Sequence, residues 1–449
     1  MDGLPSGIPK KLSVILLDKM IRYYPTILIF VLCLLSCSKV DNFEDHFRDL
    51  ENKVHTGLPI VSVNTPNGEP ILSKDEYVKN ATFTSWGGVF TSYFDECISI
   101  KGRGNSTWKL DKKPYRLKFE EKVSFFGRRE SKDWVLLANH YDNTLLRTTI
   151  VQYLSDLFCH FDFTPHSESC ELILNDSLCG NYLFCEQVKI SKGRVLNGED
   201  GYLLEIDDYG PSEAERGEAV IFYTPRVRNP FNIKGIKVNG VEDVCIDDEN
   251  YQFISHFICN FEEVLFDDGI WLDPIYGYKN YIDLQSFVDW YLINEISKNA
   301  DAVFISSCYM NYKIGGKLKM GPLWDFDLSF GNKNHPTWAP SMNHYSGFFV
   351  RYASWYSRLF DDSEFVCEVI QQYSEIYSSK QMILKKIDEF ALKQEQSAIL
   401  NCKIWETFCN KDADEQTIKE RYYQEILELK TWLSNRMDWL KNEFENYKY

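Results

Sequence analysis

The chain lacks most of the short signatures that announce a reaction. Its 13 cysteines contain no Cys-x-x-Cys pair, which argues against a zinc ribbon or a thioredoxin-type dithiol. It has no Gly-x-x-x-x-Gly-Lys-Ser/Thr loop, no Gly-x-Ser-x-Gly elbow and, among eight histidines, no His-Glu-x-x-His. Walker-type phosphate binding, a hydrolase nucleophile elbow and histidine-based metal chemistry are therefore not favoured. Positive charge is also short: 49 Lys and Arg face 66 Asp and Glu, a net charge of −17. A general nucleic-acid binder needs clustered cations against phosphates, so no nucleic-acid partner is expected. No internal repeat, low-complexity tract or Pro-rich linker divides the sequence.

Long apolar runs are scarce as well. The exception is Pro25 to Ser36, about a dozen residues, too short to cross a bilayer comfortably and suited to the apolar core of a signal peptide. It ends in Leu34-Leu-Ser-Cys37, similar to a bacterial lipobox, with Arg22 as positive flank and either Met1 or Met20 as the start. The expectation is a signal over 1–36, lipidation at Cys37, and a flexible acidic tether over 37–57. The alternative is an uncleaved membrane anchor. Residues 1–36 hold four basic and two acidic side chains, so cleavage takes the net charge from −17 to −19. This reading locates the protein in the cell envelope, held to a membrane through lipid, with display at the surface left open. Eleven cysteines remain after Cys33 and Cys37 are set aside. Most, such as Cys159, Cys185, Cys259 and Cys308, sit on apolar segments and read as buried free thiols. No disulfide follows from their order.

What the chain has is length and apolar content: 449 residues, 44% hydrophobic and 15% aromatic, ample for a sizeable core. Alternating runs predict strands at Leu58–Val63, Ala81–Trp86, Cys97–Lys101, Tyr115–Phe119, Trp134–Leu137, Glu171–Asn175, Tyr182–Val188, Gly201–Ile206 and Ala219–Tyr223. Helical spacing follows Asp142-Asn143 at Leu146 to Leu157 and recurs at Asp248–Phe266 and Ile282–Ser297. An apparent hairpin spans Val303 to Leu323, turning at Gly315-Gly316. Charged helices are expected at Ser363–Tyr377, Lys380–Gln396 and Glu415–Asn446. Together these describe one α+β domain over 58–446, β-rich first and helical towards its end.

Chemistry concentrates around that hairpin. Asn299-Ala-Asp301 precedes it and Trp324-Asp-Phe-Asp327 follows it. Carboxylates set among apolar neighbours at a strand end need a partner. A hard divalent cation takes one or two carboxylates plus phosphate oxygens, which makes Asp325 and Asp327 candidate metal ligands. A solvated turn is the plainer alternative. Asp301 can accept the proton of an attacking hydroxyl, or simply cap a turn after the Ile282 helix. Asn299 and Asn311 read better as turn and strand-edge hydrogen bonders than as ligands. Arg103-Gly-Asn-Ser-Thr-Trp108, backed by Lys112, Lys113 and Arg116, offers backbone and hydroxyl donors with cations. It reads either as a phosphate cradle or as a basic surface hairpin. Glu186 and Glu205 could pair with these cations or be ordinary strand acids.

These segments resemble the CotH kinase family, atypical kinases named for a spore-coat protein. The resemblance is carried by Lys101-Gly-Arg-Gly-Asn-Ser-Thr-Trp108, Lys112-Lys-Pro-Tyr-Arg-Leu-Lys118, Trp134-Val-Leu-Leu-Ala-Asn139 with Asp142 and Arg147, Gly180-Asn-Tyr182 with Glu186, and Trp324-Asp-Phe-Asp327. It runs from about Leu58 to Arg436. It implies an atypical protein-kinase-like fold that binds ATP with Mg²⁺ or Mn²⁺ and phosphorylates Ser/Thr hydroxyls of a protein substrate. Carried over by position, Asp301 is the catalytic carboxylate and Asp325 the metal ligand. Arg103, Asn105, Ser106, Lys113, Arg116 and Glu186 would face the nucleotide. A lipoprotein signal departs from a spore-coat setting. Two other classes stay open: an inactive surface scaffold or adhesion module on a kinase-like core, and a glycosyltransferase reading of Asp325-Phe-Asp327. The second lacks an alternating βαβ nucleotide-sugar domain at its start.

Overall fold

Alternation along the first half of the chain builds a closed barrel. A computed structural model describes residues 54–242, 246–334 and 343–447. The expected signal, Cys37 and residues 37–53 of the tether lie outside them. Seven strands form the barrel: β1 (Ile60–Asn64), β2 (Val78–Trp86), β3 (Tyr93–Gly102), β4 (Tyr115–Val123), β5 (Ser131–Leu137), β6 (Ser167–Leu174) and β7 (Ser177–Glu186). They run in the order β1-β2-β3-β4-β5-β7-β6, and β6 returns to pair parallel with β1, from Ile60 opposite Glu171 to Val63 opposite Leu174. Period-two burial on β4 turns Tyr115, Leu117 and Phe119 inward and leaves Arg116 and Lys118 facing out, as the sequence predicts. Side chains fill the interior. Phe125 meets Phe184 and Trp134 with ring centroids 4.7 and 4.9 Å apart.

Past β7 the chain crosses to a second sheet of β8 (Gly201–Ile206), β9 (Ile221–Tyr223), β10 (Pro230–Val238), β11 (Val241–Glu242), β12 (Cys308–Lys313) and β13 (Leu318–Met320). Its order is β11-β10-β8-β12-β13, with β9 on β10. Strand β12 lies antiparallel to β8, putting Tyr309 opposite Glu205. The sequence-predicted hairpin is therefore real but shorter. Phe304 and Ser307 adopt left-handed backbone, so residues 303–307 turn, and no strand begins before Cys308. At its far end the strand stops at Met320 rather than Leu323.

Helices supply the rest: α1 (Arg147–Phe158), α2 (Gly210–Glu215), α3 (Asp248–Leu265), α4 (Leu284–Ser297), α5 (Ser354–Leu359), α6 (Ser363–Ser378), α7 (Lys380–Trp405) and α8 (Glu415–Glu445). Four start on an aspartate whose carboxylate accepts a backbone N–H. Asp247 takes Asn250, Asp283 takes Ser286, Asp362 takes Glu364 and Asp414 takes Thr417. Each such cap is worth about 1 kcal/mol. Helix α4 is buried from Ser286 to Ser297 on every side, the behaviour expected of a helix with no polar face. The α+β class, strand-rich first and helical later, holds. The barrel closure and strand β10 are features the sequence pattern did not reveal.

Candidate active site

Buried helix α4 fixes where Asp301 can be. Its last turn ends on Lys298, in left-handed backbone, and the chain then reverses. The Asn299 N–H donates to the Asn294 carbonyl at 3.0 Å, and Asn299 Nδ2 donates to Asn294 Oδ1 at 3.1 Å. Asn299 Oδ1 in turn accepts the Asp301 N–H at 3.4 Å, and the Asp301 carbonyl accepts the Ile305 N–H at 3.0 Å. Asn299 is thus a strut of the loop. The half-buried Asp301 carboxyl has its pKa raised from 3.8 to about 7, first by burial, then by the negative charges of Asp325, Asp207 and Asp208.

The second acidic loop leaves β13 through Gly321-Pro322. Phe326 is buried and pins it, and Asp325 takes a left-handed conformation rare for a residue with a side chain. Ser329 donates to the Phe326 carbonyl from its N–H at 3.1 Å and from Oγ at 2.6 Å. Asn332 Nδ2 donates to the Asp327 carbonyl at 2.7 Å. Behind the loop, buried Arg147 donates through Nε to the Ser329 carbonyl at 2.9 Å and through NH1 to the Asp142 carboxylate. Asp142 also accepts the Arg147 N–H at 2.9 Å and the Thr144 hydroxyl at 2.6 Å. The Asp142–Arg147 pair therefore holds the metal-candidate loop against the start of α1.

Asp325 is exposed to water and lines a concavity together with Arg103, Trp324 and Asp327. Burial raises its pKa, while Arg103 and a 3.3 Å hydrogen bond from Ser307 Oγ pull it back. The Asp327 carboxyl is raised well above its usual range by burial first, then by Asp325, Asp142 and Asp301. Asp301, Asp325 and Asp327 thus act on one another electrostatically, and Arg103 supplies counter-charge beside Asp325.

Arg103 leaves the end of β3, where its N–H donates to the Pro114 carbonyl at 3.2 Å. Its guanidinium lies over the Trp324 ring, 5.4 Å from the centroid. This joins the two most distinctive segments of the sequence. The other expected nucleotide contacts divide. Asn105 Oδ1 accepts from Lys74 at 2.7 Å, and Ser106 is exposed at the head of a short 3-10 turn. Lys113 bends back onto the Trp108 and Leu110 carbonyls at 2.9 and 3.0 Å. Glu186 is buried, accepting the His166 N–H at 3.0 Å and lying 3.6 Å from Arg194. Asn105, Lys113 and Glu186 are thus engaged within the loop and the barrel, while Ser106 is open to solvent. Asn311, on β12 between β8 and β13 and so not at a sheet edge, donates through Nδ2 to the Gly321 carbonyl at 3.1 Å.

Arg116 faces a second feature, a largely basic pocket of about 420 Å³ lined by Lys118, Lys189, Lys192, Lys234 and Tyr309, and also by Asp133, which pairs with Arg116 at 3.4 Å and Lys189 at 3.0 Å. That volume is in the range of small-molecule sites. Glu205 is 3.1 Å from the pocket's Lys234, accepts a hydrogen bond from the Tyr309 hydroxyl and is repelled by Asp207. Arg103 also acts electrostatically on Tyr309. Sequence reasoning missed Asp207, whose Oδ1 accepts from Ser306 Oγ at 3.0 Å, together with Asp208, Lys189 and Lys234. The signal for the first two was present: consecutive acids immediately after an apolar strand.

Among the described residues, no group of three or more His, Cys, Asp or Glu is arranged to hold a metal ion unaided. Two mutually repelling carboxylates open to water suit Mg²⁺ or Mn²⁺, which complete their shell with phosphate oxygens and water. The donor set fits such an ion bound together with an anionic ligand. A family model described as CotH kinase protein matches residues 100–440. No curated protein matches the chain.

Proposed function

Since the chain belongs to the CotH kinase family, we propose that it is an extracytoplasmic, lipid-anchored kinase that transfers the γ-phosphate of ATP to Ser/Thr hydroxyls of a protein. The observation that carries this reading is the meeting of Asp325, Asp327 and Arg103 in one cavity, with the Asp301 charge acting on Asp327. The barrel serves as one lobe of an atypical kinase fold, and the second sheet with its helices as the other.

Asp325 and Asp327 would hold Mg²⁺ or Mn²⁺, which when bound neutralises phosphate charge. Ser307 fixes the rotation of the Asp325 carboxylate through its hydrogen bond. Arg103, braced on Trp324, opposes the remaining negative charge at the transferring group. The basic pocket takes up the rest of the nucleotide anion through Lys118 and Lys192, with Arg116, Lys189 and Lys234 held beside them by Asp133 and Glu205. Asp301 accepts the proton of the acceptor hydroxyl. A base with a pKa near 7 is half ionised at neutral pH and still strong enough to take a proton, the compromise that general-base catalysis favours.

The test is transfer of label from ATP to Ser-rich peptides with Mg²⁺ or Mn²⁺. Asp325→Ala and Asp301→Ala abolish transfer while folding is retained, and activity surviving in both would remove the assignment. One observation favours a second reading. Asn105, Lys113 and Glu186 are engaged within the loop and barrel, as in an inactive scaffold. Millimolar ATP with metal separates the two, because a ligand at 100 times its Kd stabilises a fold by about 2.7 kcal/mol. A melting transition unmoved by nucleotide selects the scaffold.

A further inference from the structure

The turn between α7 and α8 brings two thiols together. Cys402 lies one turn before the end of α7 and is fully buried. Helix α7 stops at Glu406 in left-handed backbone, and the chain folds back through Phe408 and Cys409 over the small cluster of Ile399, Cys402 and Ile418. This return leaves Cys402 Sγ 3.4 Å from Cys409 Sγ and 3.4 Å from the Cys409 carbonyl. A disulfide needs its sulfurs about 2.05 Å apart. Closing the gap takes a movement of roughly 1.4 Å, which a half-buried loop residue can supply while the helix stays in place.

We propose that Cys402 and Cys409 form a reversible disulfide, making this turn a thiol-oxidation site whose oxidant is another disulfide, either small molecule or protein. The inference stands apart from the kinase reading, since it rests on sulfur geometry alone. Cys409, the more exposed partner, reacts first. Its thiolate attacks the oxidant's disulfide, forming a mixed disulfide and releasing one thiolate. The Cys402 thiol then gives its proton to solvent, its sulfur attacks Cys409 Sγ, and the second thiolate leaves. Two cysteine thiols are oxidised and one disulfide is reduced to two thiols. Burial and contact with Cys402 push the Cys409 thiol up to about 11, so exchange quickens as pH rises.

The location gives the bond a structural consequence. The same end of α7 grips the barrel, with Asn401 Oδ1 accepting from buried Lys112 at 2.8 Å and Trp405 Nε1 donating to the Cys179 carbonyl at 2.8 Å. A closed bridge ties the following turn to the helix that makes this junction.

The experiment treats the native full-length chain with oxidised glutathione at mildly alkaline pH, alkylates the remaining thiols, and maps tryptic peptides by mass. Trypsin cuts at Lys403, between the two cysteines, so the bridge appears as two linked peptides that dithiothreitol separates. The Cys402→Ser chain accumulates glutathione on Cys409 because nothing resolves the adduct, whereas Cys409→Ser leaves buried Cys402 unmodified. Two results overturn the proposal: both cysteines still alkylated after oxidation of the wild-type chain, or a glutathione adduct that persists on its Cys409.

Discussion

Replacing Asp301 by Asn tests the electrostatics of the site without needing a substrate. In the folded chain the Asp301 pKa is raised from 3.8 to about 7, mainly by burial and then by neighbouring carboxylates. Between those two values the folded site keeps a proton that the unfolded chain gives up, so stability falls as pH rises through this window and the loss is complete above about 7. At about 1.4 kcal/mol per pH unit, the ionised carboxylate costs roughly 4 kcal/mol at most. Water at the half-buried side chain reduces that figure, and about 1–3 kcal/mol is expected. Asp301→Asn should therefore be more stable than the parent at pH 8 in metal-free buffer, with the difference shrinking towards pH 4. Urea unfolding at several pH values measures it. The same substitution should abolish transfer, since an amide accepts no proton. An Asp301→Asn chain less stable than the parent at pH 8, or a stability difference indifferent to pH, would refute the reasoning.

Two further substitutions probe the scaffold. A Cβ at Gly102 would run into the Trp108 ring, directly before Arg103. Gly102→Ala should destabilise by about 1–3 kcal/mol and raise the KM for ATP more than it lowers kcat, as steady-state kinetics would reveal. Arg436 and Glu295 form a fully buried pair at 2.6 Å, with the guanidinium also donating to the Tyr345 and Gly347 carbonyls at 2.8 Å. Arg436→Met should cost about 3–5 kcal/mol by stranding the carboxylate, and Glu295→Gln in the same chain should recover part of the loss in denaturant unfolding.

Local signals made much of this molecule readable in advance. Asp283, Asp247 and Asp414 cap helices that begin within two residues of their sequence-predicted starts, because capping and helical periodicity are both local properties. Helix α7 outran its expected end at Gln396 and continues to Trp405, since nothing in Ser397–Cys402 breaks a helix and Ile399 and Cys402 bury another stripe. Strand β10 was missed because it opens on Pro230 and carries a bulge between Ile233 and Gly235, both of which blur alternation. Barrel closure was out of reach: Ile60 pairs with Glu171, far along the chain, and parallel pairing leaves no turn signature. At the site, Arg103 and the Asp325 loop stood out through rare residue combinations, and the structure brings them together. Lys113 and Arg103 are both cations of one basic segment in the sequence. Only geometry separates a cation aimed at a cleft from one that ties its own loop.

The first strand of the barrel has a mechanical consequence. β1 is hydrogen-bonded along its length on both flanks, antiparallel to β2 and parallel to β6. Tension arriving through the residues that precede it would load both ladders in shear, so that many bonds share the force at once and none peels first. A pull applied at that end is thus met by two ladders together.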